Sequence, residues 1–233
     1  MKLTWFGHSA FRVEFGGAVV MLDPFLANPT HKGDHKAAYA DATHVILSHG
    51  HADHIGSAVE ICKATGAKLI ANPEVCDHLG ALGCAKVDPI NFGGELHFGG
   101  FSVAYVPAWH SSSHDAADGD GRYLGNPGGI VLMSSKEKTL HYMGDTGIFD
   151  GMKLTAELYR PKIGIVPIGD RFTMGARLAA IACNRFFDFE TAIPCHYATF
   201  DGWLDANADK FIAEMKGSKT KVLVPERGAT VDL

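Results

Sequence analysis

A layered α/β sandwich is the fold class this sequence predicts, and three observations carry that reading. Short apolar or alternating runs recur along the chain, as strands require. Between them lie segments whose apolar residues return every three or four positions, as in helices packed on a sheet. The alternation occurs twice, with no sequence repeat and no Pro/Ser-rich linker to cut the chain. At 233 residues, one domain made of two similar halves over residues 1–233 is the expected organisation.

In the first half, Leu3–Phe6, Ala10–Phe15 and Val19–Leu22 read as strands, the last two joined by the Gly16-Gly17 turn. Thr43–Leu47 is nearly all apolar, the pattern of a strand covered on both faces. Ile55, Ala58, Val59 and Cys62 then recur at helical spacing, with Gly66 as terminator. Lys68–Ala71 is the next strand, and Asn72-Pro73 supplies an N-cap with proline at the first helical position. In the second half the strands are Phe101–Val106, Ile130–Ser134, Thr139–Met143, Ile163–Pro167, Ala192–Pro194 and Val222–Val224. The helices there are Met152–Tyr159, Ala176–Phe187 and Ala206–Lys216. Phe25–Asp41 and Ala108–Gly129 break the pattern, being long and rich in Gly, Asn, Asp and His. Loops of that length in a compact domain are usually functional, so both are expected to form the rim of an active site.

Composition narrows the partners. Apolar residues make up 46% and charged residues 20%, too apolar for a disordered chain. A net charge of −5 disfavours nucleic acid, which selects a basic face. No run approaches the roughly 18 apolar residues a membrane span needs. The N-terminus turns polar too early for a secretory core of about 7–15 apolar residues. Five cysteines without a C-x-x-C pair suit free thiols in a reducing cytoplasm. A homo-oligomer is neither required nor excluded. Thirteen histidines are the compositional outlier, and their positions decide which of them matter.

Four of the possible ligands crowd into Ser48-His49-Gly50-His51-Ala52-Asp53-His54, between an apolar strand and a helix. The intervening Gly50 and Ala52 are small, so the backbone can turn sharply and aim His49, His51, Asp53 and His54 inward. Imidazole and carboxylate at this density suit zinc or another borderline divalent ion.

With its H-x-H-x-D-H spacing the sequence resembles the metallo-β-lactamase superfamily. The resemblance implies a four-layer αβ/βα sandwich, with two metals at one edge between two sheets. It also implies further ligands from later strand ends: a histidine, a bridging aspartate and a last histidine. His110 in Pro107-Ala108-Trp109-His110-Ser111, Asp145 in Met143-Gly144-Asp145-Thr146-Gly147 and His196 in Ile193-Pro194-Cys195-His196-Tyr197 match in that order. Carried over, His49, His51 and His110 hold one ion, Asp53, His54 and His196 the second, and Asp145 bridges. Asp23 is implied to organise the motif loop by hydrogen bonding rather than to ligate.

Shorter blocks are similar to a bacterial subfamily of metal-dependent hydrolases near ascorbate-6-phosphate lactonase and the N-acyl phosphatidylethanolamine phospholipase D. They are Trp5-Phe6-Gly7-His8-Ser9, Leu22-Asp23-Pro24-Phe25-Leu26, His110-Ser111-Ser112-Ser113, Asn126-Pro127-Gly128-Gly129 and Phe172-Thr173-Met174-Gly175. They bring in His8, expected to contact substrate or leaving group rather than metal. Cys195 neighbours His196 on a strand, faces the opposite side and is read as buried. His31, His35, His44, His78, His97, His114 and His141 are read as loop, surface or packing residues, with His31, His35 and His114 near the mouth.

The resemblance implies hydrolysis of an ester, lactone or phosphodiester bond in a small-molecule substrate by a metal-activated hydroxide. Two ions about 3.5–4 Å apart share a water and bring its pKa near neutrality. Asp53 orients that nucleophile and passes a proton to the leaving group, with His8 as the second candidate. Zinc is the expected metal, and Mn, Ni or Fe suit the same donors. An iron-dependent oxidoreductase is the alternative enzyme on this fold, and its diiron members carry glutamate where His51 stands. A binding scaffold without catalysis is the non-enzymatic alternative, disfavoured because all seven ligand positions are filled.

Overall fold

Side-chain alternation along short strands sets the layers of this chain, whose computed structural model describes residues 1–114 and 121–233. The strands β1 (Lys2–Trp5), β2 (Phe11–Phe15) and β3 (Ala18–Leu22) pair antiparallel. At the β2–β3 turn Gly16 and Gly17 take φ of 59° and 80°, the left-handed geometry a two-residue hairpin needs. There follow α1 (His35–Tyr39), β4 (His44–Ile46), α2 (Ala52–Ile55), α3 (Ala58–Thr65), β5 (Lys68–Ala71), α4 (Pro73–Ala81) and β6 (Val87–Pro89). From β3 to β6 the pairing is parallel.

The second sheet repeats the plan. It begins with β7 (Glu95–His97) and β8 (Ser102–Pro107), then the small hairpin β9 (Ser113–His114) and β10 (Arg122–Tyr123), then β11 (Gly128–Met133) and β12 (Leu140–Tyr142). After these come α5 (Gly151–Tyr159), β13 (Ile163–Pro167), α6 (Ala176–Phe186), β14 (Thr191–Cys195), α7 (Asp209–Glu214), β15 (Lys221–Val222) and β16 (Thr230–Asp232). β7, β8, β11 and β12 pair antiparallel, and β12 to β15 parallel. β16 crosses back to pair with β1 in the first sheet.

Alternation then sorts the core. Leu3, Trp5, Val13, Val20, Leu22, Ile46 and Ile70 face the second sheet and join Tyr105, Ile130, Leu132, Tyr142 and Ile165 in one apolar cluster. Met21, Val45, Leu47 and Leu69 face the other way, onto Ile61 and Cys62 of α3 and Val75 and Leu79 of α4. Beyond the second sheet, Ala104, Val106 and Val131 meet Tyr159 of α5. The result is the layered α/β sandwich that the sequence pattern predicts, in the four-layer αβ/βα form that the resemblance implies. Each fully buried Val, Leu or Ile stabilises it by about 1.5–3 kcal/mol.

Departures from expectation have local causes. Phe25–Asp41 is not all loop: Asp34 accepts a hydrogen bond from the Lys36 N–H (2.9 Å) and caps α1, whose Ala38 and Tyr39 are buried. The helix expected through Ile55–Cys62 is two helices, because the chain breaks at Gly56, where the backbone presses on Pro24 and Phe25. There Ser57 N–H donates to the Pro24 carbonyl (2.9 Å). The sequence pattern does not mark β6, β7 and β16, which are three residues each, with mostly exposed side chains and little apolar alternation. The last helix is shorter than Ala206–Lys216, and β15 shorter than Val222–Val224. Ala108–Gly129 holds β9, β10 and the start of β11, and its residues 115–120 lie outside those described.

Candidate metal centre

Carboxyl ends of strands from both sheets meet at one edge, and the ligand-type residues lie just beyond them. His49, His51, Asp53 and His54 follow β4, His110 follows β8, Asp145 follows β12 and His196 follows β14. The backbone is strained there: His8, Asp23 and His196 have φ of 49°, 39° and 59°, a region that disfavours residues with a Cβ.

All seven predicted ligand positions come together. The facing nitrogens of His49 and His51, Nε2 and Nδ1, are 2.9 Å apart. His49, His51 and His110 form one set of donor atoms within 4.8 Å of one another. A second such set holds Asp53, His54, His196 and also His8. Asp145 sits between them: its Oδ2 is 2.9 Å from His196 Nε2, 3.2 Å from His54 Nε2 and 3.6 Å from His110 Nε2. Donor atoms sharing an ion with bonds of about 2.0–2.2 Å at angles of about 90–110° lie about 2.8–3.6 Å apart, so these spacings fit coordination.

Charge supports the same fit. Asp23 and Asp145 are fully buried and Asp53 partly so, yet among the described residues no Lys or Arg pairs with any of them. Buried carboxylates need a cationic partner, and imidazoles are the only ones here. Burial opposes the charged form of His54, but Asp145, Asp23 and Asp53 outweigh it and hold this imidazole well above its usual pKa. Burial likewise opposes ionisation of Asp145, and His196 and His54 overcome it, holding the carboxyl well below its usual range. Asp145 Oδ1 and His196 Nδ1 are buried and find no hydrogen-bond partner among the described residues. Such a cluster suits divalent cations.

Supporting contacts aim the ligands. Asp23 accepts from Ser48 N–H (2.8 Å), the Ser48 hydroxyl (2.5 Å), the Tyr142 hydroxyl (2.5 Å) and His54 Nδ1 (2.7 Å). One carboxylate thereby fixes the His54 ring and the start of the motif loop. Tyr105 donates its hydroxyl proton to the Ser48 carbonyl, and Ser112 Oγ accepts from Gly50 N–H (3.0 Å) while donating to the Leu124 carbonyl (2.9 Å). Sequence reasoning missed Tyr105 and Tyr142, which read as apolar strand residues, and Thr199. Ser112 had a weak signal in its Ser-rich block after His110.

His8 is fully buried, and both ring nitrogens are engaged, Nε2 with Asp53 Oδ2 (3.0 Å) and Nδ1 with Thr199 Oγ1 (3.0 Å). The Nε2–H of a neutral ring donates to Asp53. Burial and the neighbouring His196 draw its pKa down to about 4. Its ring nitrogens thus face Asp53 and Thr199. Cys195 is fully buried, while His31 stacks on His35 and His114 lies against His78.

Fold and cluster together define a metallo-hydrolase class, and the comparisons agree. Residues 2–196 match the family described as "Beta-lactamase superfamily domain", and the chain belongs to the metallo-β-lactamase superfamily as a metal-dependent hydrolase. Its relatives include a "UPF0173 metal-dependent hydrolase" of Chelativorans sp. (strain BNC1), 52% identical over the whole of both chains. Another of that name, mll0680 of Mesorhizobium japonicum, is 50% identical over the same extent. Among solved structures, Igni18, a metallo hydrolase from the archaeon Ignicoccus hospitalis, superposes with a TM-score of 0.87 at 35% identity, covering 99% of this chain and 97% of its own. The isothiocyanate hydrolase from Delia radicum gut bacteria, at 20% identity and a TM-score of 0.80 over 100% and 99% of the two chains, shares the fold.

Proposed function

We propose that this chain is a two-metal hydrolase acting on an ester, lactone or phosphodiester bond of a small molecule. The observation that carries the reading is Asp145 Oδ2, which lies within 2.9–3.6 Å of His196, His54 and His110 and so reaches both donor sets. His49, His51 and His110 would hold one ion, Asp53, His54 and His196 the other, with Asp145 common to both. Bound ions of this kind supply Lewis acidity and a water acidified to near neutrality. Zinc suits the donors, and Mn, Ni or Fe share them.

The chain's own residues divide the remaining work. Asp53 is the one carboxylate of the cluster that reaches solvent, with a side chain 28% exposed. It takes the proton of the attacking water and returns it to the leaving group. Burial opposes its ionisation, but His54 and the hydrogen bond from His8 hold Asp53 below the usual carboxylate range, so it stays ionised. His8 positions Asp53, and Asp23 positions His54. One domain of two similar halves is supported by the core cluster drawn from both sheets. Five free cysteines support a reducing, cytoplasmic setting, and among the described residues no helix is long and apolar enough to cross a membrane.

Elemental analysis of purified protein should find about two ions per chain. A panel of lactones, phosphodiesters and nitrocefin identifies the bond cleaved, and Asp53→Ala should abolish cleavage. Full activity in metal-free protein would refute the reading. Iron accompanied by oxygen uptake would move the chain to oxidative chemistry.

A further inference from the structure

The connection after β13 carries a cation that the metal cluster does not use. Because β12, β13 and β14 are parallel neighbours, this connection emerges between the loop bearing Asp145 and the loop bearing His196. It is tied to both. A Cβ at Gly169 would collide with the His196 carbonyl, and Met174 N–H donates to the Thr146 carbonyl (3.0 Å). Within the turn, Asp170 and Arg171 adopt φ of 64° and 40°, a conformation that side chains bearing a Cβ disfavour.

Arg171 is exposed, and its guanidinium carbon lies 4.9 Å from the Trp203 ring centroid and 5.5 Å from that of Phe172. The backbone of Trp203 is tied nearby as well: its amide N–H donates to the Phe200 carbonyl (3.1 Å), and the Phe200 ring is 5.4 Å from that of His8. Among the described residues Arg171 pairs with no carboxylate, in a chain of net charge −5. Stacking on aromatic faces holds a guanidinium plane while leaving its N–H fork free at the edge, the geometry that grips an oxyanion with two hydrogen bonds. Trp109, 68% exposed and next to His110, stacks on Phe149 at 5.8 Å, its backbone N–H donates to Thr146 Oγ1 (2.9 Å), and it offers an apolar wall.

Resting on the hydrolase reading above, we propose that Arg171 is a specificity residue binding an oxyanion, carboxylate or phosphate, on the substrate. The bond cleaved then belongs to an anionic molecule with an apolar portion along Trp109.

The test uses the metal-loaded protein and two chromogenic esters of similar size, 4-nitrophenyl butyrate and the mono-4-nitrophenyl ester of glutaric acid. Arg171→Met should lower the anionic-to-neutral selectivity in kcat/KM by about tenfold, the worth of one charge-assisted hydrogen bond at an open rim. Arg171→Lys should keep part of it. Arg185→Met, which removes the same charge at a distant surface, should keep all of it. Unchanged selectivity in Arg171→Met, or an equal loss in Arg185→Met, overturns the proposal. Calorimetric titration with N-butylglutaramate and butyl phosphate tells carboxylate from phosphate and needs no turnover. If neither ester is cleaved, the hydrolase reading fails on this bond class while the titration still decides Arg171. Weaker binding confined to the Arg171 variant supports the proposal, and equal binding or none overturns it.

Discussion

Asp23→Asn isolates the contribution of a buried carboxylate that touches no solvent. Oδ1 accepts one hydrogen bond, from Ser48 N–H, and Oδ2 accepts three, from Ser48, Tyr142 and His54. An amide must turn its NH2 toward one of these sets. Facing Ser48 N–H, it opposes two donors and loses that bond. Facing the other set, it deprives His54 Nδ1 of its acceptor while the two hydroxyls rotate away. Either orientation forfeits at least one charge-assisted hydrogen bond in a dry site, so destabilisation of about 2–4 kcal/mol is expected. In a chain of this size that lowers Tm by roughly 5–15 °C. A misaimed His54 should also weaken metal binding about 10–100-fold. Urea unfolding of the chelated protein measures the first effect, and competition with a chromophoric chelator the second. A metal-free stability within about 0.5 kcal/mol of wild type, together with unaltered metal affinity, would refute this account of Asp23.

Three further outcomes follow from other parts of the structure. His141 is fully buried against Phe187, with ring centroids 5.4 Å apart, and burial draws its pKa down to about 3. The folded state therefore refuses a proton the unfolded chain accepts below its ordinary value, so stability falls as pH drops from about 6.5 toward 3. At about pH 5 this is 1.5 pH units, or roughly 2 kcal/mol. Urea unfolding of metal-free His141→Leu should lose about 2 kcal/mol less than wild type between about pH 7.5 and 5, and parallel pH slopes would count against it. Gly169→Ala drives a methyl group into the His196 carbonyl, which should cost about 1–3 kcal/mol and reduce metal content, read by elemental analysis. His8→Ala removes the hydrogen bond on Asp53, so kcat should fall about 10–100-fold. Its acid limb should also move to higher pH, because Asp53 then keeps only His54 to hold it down; an unmoved limb would assign His8 a purely structural part.

Legibility followed chemistry. His49, His51, Asp53 and His54 could be picked out because few residue types bind metal and these lie almost adjacent. His110, Asp145 and His196 needed only a strand before each and the right order. What escaped notice works through contacts distant in sequence. The Tyr142 hydroxyl reaches Asp23 from the opposite sheet, and Thr199 reaches His8 across nearly the whole chain. In the primary structure Tyr142 is one more apolar strand residue. The place of His8 in the site is legible, but its burial and its contact with Asp53 depend on Phe25, Phe200 and His196 around it. The break between α2 and α3 depends in the same way on Pro24 and Phe25 pressing against Gly56.

The division of the cluster between two sheets bears on how the protein matures. His49, His51, Asp53 and His54 arrive with the first sheet, and His110, Asp145 and His196 with the second. Neither sheet alone presents a complete donor set, so any ion seated there acts as a fastener across their shared face. An ion that binds only the folded form, at a thousandfold excess over its Kd, adds about 4 kcal/mol to the stability of the joined halves. The His-x-His pair is already present in the unfolded chain and retains part of that affinity, which trims the gain. Metal supply during synthesis therefore bears on folding yield as well as on catalysis.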